Sequence, residues 1–237
     1  MASSIMNNIA PVIRKSEFDD EATAFLNMYC PESLETPMVV PIAEIATRKI
    51  GLTILEQRLT EDFSIFGQMC FTTGIAEIYD RDEDEYREIK VLRGTMIIDP
   101  DTLLKRNLGC MNNTIAHESF HWFKHRNYHI LRSVSDRRLS VAFRCPSAPL
   151  NDRVQRTWSD EDWMEWQANG IAPRILVPIQ TVGIVFQRLM RESKENPFIA
   201  AQLMPPTRWI IEQLADFYGV SKQSAEIRLK ELGYITA

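Results

Sequence analysis

Residues 114–122 read TIAHESFHW and residues 165–178 read EWQANGIAPRILVP. The first stretch holds an H-E-x-x-H pattern at His117, Glu118 and His121. On an α-helix, positions i and i+4 lie about 40° apart in azimuth and about 6 Å apart along the axis, so both imidazoles can reach one metal ion. Glu118 is rotated about 100° from His117, which puts it beside the ion's open position, where a base can take a proton from water. Ile115, Phe120, Trp122 and Phe123 make this segment apolar. A carboxylate buried among them without a partner is costly.

The four histidines of the chain fall at 117, 121, 125 and 129. Each step climbs about 6 Å, which places His125 about 12 Å from His117 along the axis and beyond a shared ion. His125 and His129 are therefore read as rim or surface residues. A catalytic zinc needs a third protein ligand and a water. The metzincin pattern would put glycine at 124 and histidine at 127, where this chain has Lys124 and Asn127, so the ligand must come from another element. Cys145, Asp152, Asp160, Glu161, Asp162 and Glu165 are the downstream candidates. Glu165 stands out, because Trp163, Met164 and Trp166 surround it with apolar bulk that penalises an uncoordinated carboxylate. Ala168, Asn169 and Ala172 share its helical face and are small enough to let two helices approach closely. Asp160, Glu161 and Asp162 fit better as first-turn acids after a Ser159 cap, with Ser159 and Asp162 forming a capping box.

Outward from these two stretches, the periodicity predicts a helix over 18–30, with acids early, and a short helix over IAEIATRKIG stopped by Gly51. Between Gly51 and Pro100 the texture is that of strands: LTILEQRL, GQMCFTTG, IAEIYD and YREIKVLRGTMIIDP. The acidic run from Asp80 to Glu85 reads as a solvated hairpin turn. The histidine helix is expected from about Asn113 to Tyr128, capped by Asn112 or Asn113. The helix beginning at Ser159 is expected to be perturbed by Gly170 and Pro173. The last third is helical, and LADFYGVSKQSAEIRLKELG reads as two helices joined by a tight turn at Gly219, with Ser221 as the second N-cap. The fold class is α+β, a small antiparallel or mixed sheet packed on a helical core with a helix-turn-helix-like C-terminal element. The divisions are an N-terminal tail and helix over 1–36, a central domain over 37–180, and a helical region over 181–237.

Composition narrows the function classes. The 237 residues are 45% hydrophobic and 25% charged with a net charge of −5, which excludes fibrous and wholly disordered chains and leaves polyanions a poor default partner. No apolar run is long enough to span a membrane and the start lacks a secretory h-region. Cys30, Cys70, Cys110 and Cys145 form no C-x-x-C pair. The expectation is a cytoplasmic protein with free thiols.

Taken together, T-I-A-H-E-x-x-H-W and E-W-Q-A-N-G-I-A-P-R-I-L-V-P resemble the two-part motif of the ImmA/IrrE-type metallopeptidases. The similarity extends to TMIIDP (95–100) and to residues 214–235. It implies a zincin-like domain, zinc held by His117, His121 and Glu165, and Glu118 as catalytic base. Manganese or iron are alternatives for such a ligand set. It also implies a protein substrate, a helix-turn-helix repressor of a phage or mobile element, cleaved by attack of water on a peptide carbonyl. Tyr128, His125, His129 and Arg174 are the groups chemically able to stabilise the oxyanion. The chain departs from the family at Gly170–Pro173, where an unbroken helix of small and aromatic residues is usual.

Two other readings belong to different classes. One is a DNA-binding regulator that uses residues 207–234, with Ser221, Lys222, Gln223 and Ser224 exposed and zinc kept for structure. Residues 181–237 carry seven basic and six acidic side chains, which is weak neutralising power for phosphates. The other is an antirepressor that sequesters its target without hydrolysis.

Overall fold

The computed structural model describes residues 10–136, 142–146, 158–201 and 205–236. The chain enters through helix α1 (Phe18–Tyr29), whose first turn carries Asp19, Asp20 and Glu21, as the helix dipole favours. Short helical turns at Glu32–Glu35 and Ile42–Glu44 follow, and a π turn at Ile45–Lys49 leads into the sheet region.

Strands β1 (Thr53–Glu56), β2 (Ile65–Cys70), β3 (Gly74–Asp80), β4 (Glu85–Val91) and β5 (Thr95–Ile98) occupy the predicted strand region. The last predicted segment is two strands, because Gly94 turns the chain between β4 and β5 with φ of +84°. β1 pairs parallel with β5, and β5 pairs antiparallel with β2. A further strand, β6 (Ala142–Pro146), adds antiparallel to the other edge of β2, giving the mixed order β1-β5-β2-β6. β3 and β4 form a separate hairpin around the acidic turn, where the Asp80 carboxylate accepts from the Asp82 amide. The expected mixed α+β architecture is present.

The helical side is built on α2 (Leu108–Phe120), a π turn at His121–His125, and α3 (Arg126–Asp136), which follow one another without a break. The expected start near Asn113 is wrong by one and a half turns. Asn107 is the cap, its side chain accepting from the Cys110 amide, and Asn112 instead donates to the Gly219 carbonyl at 2.9 Å. The segment also runs past Tyr128 to Asp136. Helix α4 (Asp160–Leu176) begins with the predicted capping box, Ser159 and Asp162 serving each other's end of the first turn. Contrary to expectation, Gly170 and Pro173 do not interrupt it. Pro173 lies in the last turn, where it forfeits a single N–H bond, and the Arg174 guanidinium donates to the neighbouring Gly170 carbonyl. Helices α5 (Ile179–Glu195), α6 (Pro206–Tyr218) and α7 (Lys222–Glu231) complete the chain.

One apolar core runs from Ile13 and α1 through α2 and α4 to α6 and α7. A smaller cluster of Leu59, Cys70, Ala76, Ile78, Val91 and Ile97 lies between the sheet and the hairpin. The α6–α7 pair, joined through Gly219 in the left-handed conformation, is anchored to the rest of the molecule at two points. A Cβ on Gly109 of α2 would lie 2.3 Å from the Ser221 amide nitrogen, so the turn backbone sits directly on the start of the histidine helix. At the other end Arg228, 2% exposed, donates to the Val177 carbonyl and pairs with Asp19 of α1. Arg174 of α4 bridges Glu231 at 2.8 Å and approaches the same Asp19 at 3.5 Å.

Gly170 allows α4 to touch α1: a Cβ there would meet the Phe18 ring at 2.1 Å. Phe18 is 2% exposed and cannot swing outward freely. Replacing Gly170 with alanine should lower stability by about 1–3 kcal/mol in urea titration, although alanine is the better helix former by about 1 kcal/mol. A midpoint equal to or above that of the wild type would disprove this tight contact.

Candidate metal centre

The residues from Thr114 to His121 are all buried, as their apolar flanks require. The Asn107 cap sets the phase of α2, and the i, i+4 spacing brings the two Nε2 atoms of His117 and His121 to 2.9 Å. Helix α4 packs across this face. Ala168 and Ala172 are both fully buried, and at this narrow interface Glu165, 6% exposed, reaches both rings. Its Oε2 lies 3.4 Å from His117 Nε2 and its Oε1 lies 3.2 Å from His121 Nε2.

These three side chains form a buried group able to hold a metal ion. The test is geometric. A tetrahedral ion with bonds of about 2.0 Å needs ligand atoms about 3.3 Å apart, and the separations found are 2.9, 3.2 and 3.4 Å. Neutral imidazole nitrogen with a carboxylate oxygen is also the donor chemistry of borderline divalent cations. Electrostatics agree with this use. Burial by itself would raise the pKa of Glu165, yet the facing imidazoles of His117 and His121 overcome it and hold the carboxylate down at about 2. Burial lowers His121, an effect that Glu165 partly offsets, so the ring favours the neutral form that binds metal.

The other third-ligand candidates separate cleanly. Asp162 is consumed by the capping box and Glu161 pairs with Arg132 and Tyr128. Asp160 stays in the exposed first turn. The side chain of Cys145 and the whole of Asp152 lie outside the described residues. The thiols of Cys30, Cys70 and Cys110 are free, and burial pushes Cys70 up to about 11.

Glu118 is fully buried, and neither of its carboxyl oxygens has a hydrogen-bond partner among the described residues. Burial, and then the charge of Glu165, push its pKa well above the usual carboxylate range. It points at β2, where only a glycine fits: a Cβ on Gly67 would lie 2.9 Å from Glu118 Oε1 and 2.7 Å from Thr114 Cγ2. Gly67 was not singled out from the sequence, since a lone glycine in a strand has several explanations.

His125 and His129 are not at a rim; they are 0% and 1% exposed. The π turn at 121–125 keeps His125 against His121, with their Nδ1 atoms 2.9 Å apart, and His129 stacks on Phe71 at 4.3 Å between ring centres. Burial drives His125 well below the ordinary histidine range and takes His129 to about 3. Of the possible oxyanion donors, Arg174 is committed to Gly170, Asp19 and Glu231. The Tyr128 hydroxyl sits between Glu161 and Arg132.

The protein is a mixed α+β chain with a buried group of two histidines and one glutamate that could hold a metal ion. No single helix among the described residues is long and apolar enough to cross a membrane. Comparison with protein-family models and with characterised proteins finds no match to this chain.

Glu165→Ala should abolish stoichiometric metal retention after dialysis, measured by elemental analysis, while leaving the far-ultraviolet circular dichroism unchanged. Gly67→Ala should destabilise the fold by about 1–3 kcal/mol, because Glu118 and Thr114 must move out of packed positions.

Proposed function

We propose that this chain is a zinc-dependent endopeptidase that cleaves a helix-turn-helix repressor. The observation that carries the reading is the convergence of Glu165 with His117 and His121, beside a buried Glu118 whose carboxyl has no hydrogen-bond partner among the described residues. A structural site has no use for such a carboxyl at its margin, whereas hydrolysis needs one. The resemblance to ImmA/IrrE-type peptidases supports the same roles and supplies the substrate class.

When bound, the ion supplies a Lewis acid that polarises a carbonyl and acidifies water. The protein's own residues do the rest. His117, His121 and Glu165, presented from two neighbouring helical segments, would hold the ion and leave room for water and substrate. Glu118 accepts on a carboxyl oxygen the proton lost by the attacking water, then returns it to the nitrogen of the leaving segment. Gly67 keeps β2 close enough to Glu118 to exclude bulk solvent from that side.

The α6–α7 pair serves the fold in this reading. Arg228 is buried on Asp19, Lys222 pairs with Glu212 at 2.7 Å, and the Gly219–Ser221 turn is seated on α2. Few cations of the second helix remain for phosphates, which disfavours a DNA-binding regulator.

Glu118→Gln separates hydrolysis from sequestration. It should retain the metal and the fold while lowering the rate of repressor cleavage by about 10²–10⁴-fold, followed by gel with repressors encoded beside the gene. Full relief of repression by this variant would overturn the protease assignment.

A further inference from the structure

Behind the metal ligands lies a chain of buried polar contacts that reaches the N-terminal segment. His121 Nδ1 faces His125 Nδ1 at 2.9 Å, His125 Nε2 faces Gln167 Oε1 at 3.0 Å, and Gln167 Nε2 donates to the Pro11 carbonyl at 2.9 Å. His121, His125 and Gln167 are each 2% exposed or less. None of these contacts is explained by packing alone, since burying two imidazoles and an amide is costly unless their hydrogen bonds are satisfied.

The direction of every proton in this chain follows from its far end. The Pro11 carbonyl can only accept, so it takes the NH₂ side of the Gln167 amide and leaves Oε1 turned toward His125. That oxygen can only accept, so His125 carries its proton on Nε2 and presents a bare Nδ1. The bare Nδ1 in turn requires the proton of His121 to sit on Nδ1. His121 Nε2 is then left with its lone pair directed at the space shared with His117 and Glu165. In that tautomer Nε2, 3.2 Å from Glu165 Oε1 and 2.9 Å from His117 Nε2, offers its lone pair to a cation seated among the three side chains. By contrast, His117 Nδ1 has no hydrogen-bond partner among the described residues, so this lock acts on one ligand of the pair.

We propose that His125 and Gln167, oriented by the Pro11 carbonyl, are positioning residues that fix His121 in the Nδ1–H tautomer and thereby prepare its Nε2 to bind the metal. This rests on the metal-site reading above and adds what that reading does not contain: residues that touch no ligand position yet set metal affinity, and a link between the N-terminal segment and the centre. The sequence gives a reason for the separate elements. His125 is placed by the π turn, and Gln167 lies two residues beyond Glu165 on α4, so the helix that supplies the third ligand also supplies the lock.

The test has a part that needs no substitution. In metal-free wild-type protein, imidazole ¹⁵N shifts and N–H couplings should show protons on His121 Nδ1 and on His125 Nε2. A proton on His121 Nε2 would overturn the proposal. In competition titration with zinc against a chromophoric chelator, Gln167→Leu should weaken binding by about 10–100-fold and mix the His121 tautomers. Gln167→Glu keeps an acceptor toward His125 Nε2–H and should preserve the tautomer and most of the affinity. A Gln167→Leu protein with wild-type affinity and an unchanged tautomer would also overturn the proposal. Glu165→Ala in the same titration isolates the underlying reading: wild-type zinc affinity in that variant means the metal site itself is wrongly assigned, whatever the tautomers show.

Discussion

A carboxylate held among apolar side chains must find positive charge or hydrogen-bond donors, or cease to be ionised. Glu165 meets that demand by lying against two imidazoles of another helix, and the architecture follows from the contact. It requires α2 and α4 to approach closely, which the alanines at 168 and 172 permit. It requires the histidine pair to be presented in one direction, which the cap at Asn107 and the i, i+4 spacing arrange. It also requires water to be kept away, and His117, His121 and Glu165 are all buried.

The same logic of satisfied burial recurs away from the candidate metal centre. Asp19 receives two guanidinium groups, one from α4 and one from α7, so the first, middle and last helices meet at one carboxylate. Arg228 is fixed by that partner and by a backbone carbonyl. Such a pair contributes less to net stability than its bare Coulomb attraction suggests, because both groups lose water. Its stronger effect is on register: α7 cannot slide or rotate on α4 without stranding a buried charge. The C-terminal helices are thereby part of the framework that holds α4, and hence Glu165, in place.

Much of this was legible in the residues. The H-E-x-x-H spacing, the apolar setting of Glu165, the small residues beside it, the Ser159 capping box and the hairpin around the acidic turn all express local rules, which depend on neighbours within about four positions. Two of the three errors come from contacts with distant segments, and the third from a position in the last turn. The cap of α2 was misplaced because Asn112 and Asn113 look like caps locally, whereas Asn112 is used by the distant Gly219 carbonyl. Pro173 was expected to disturb α4, but its position in the final turn costs the helix little. His125 and His129 read as rim residues because two to three regular turns would carry their side chains away from His117. A π turn, the contact of His125 with Gln167 and the stacking of His129 on Phe71 accompany their burial instead.

The sequence by itself determined which side chains can bind a metal and the spacing that sets two of them on one helical face, because both are properties of a single segment. It indicated most of the helices and the strands between Gly51 and Pro100 for the same reason, but not β6, which exists only as a partner for the edge of β2. Only the tertiary structure decided how closely Glu165 approaches the histidines, that Gly67 lies against Glu118, and that Pro11 reaches Gln167. Those are distances between segments far apart in the chain, and they are fixed by how the elements pack, which no local pattern encodes.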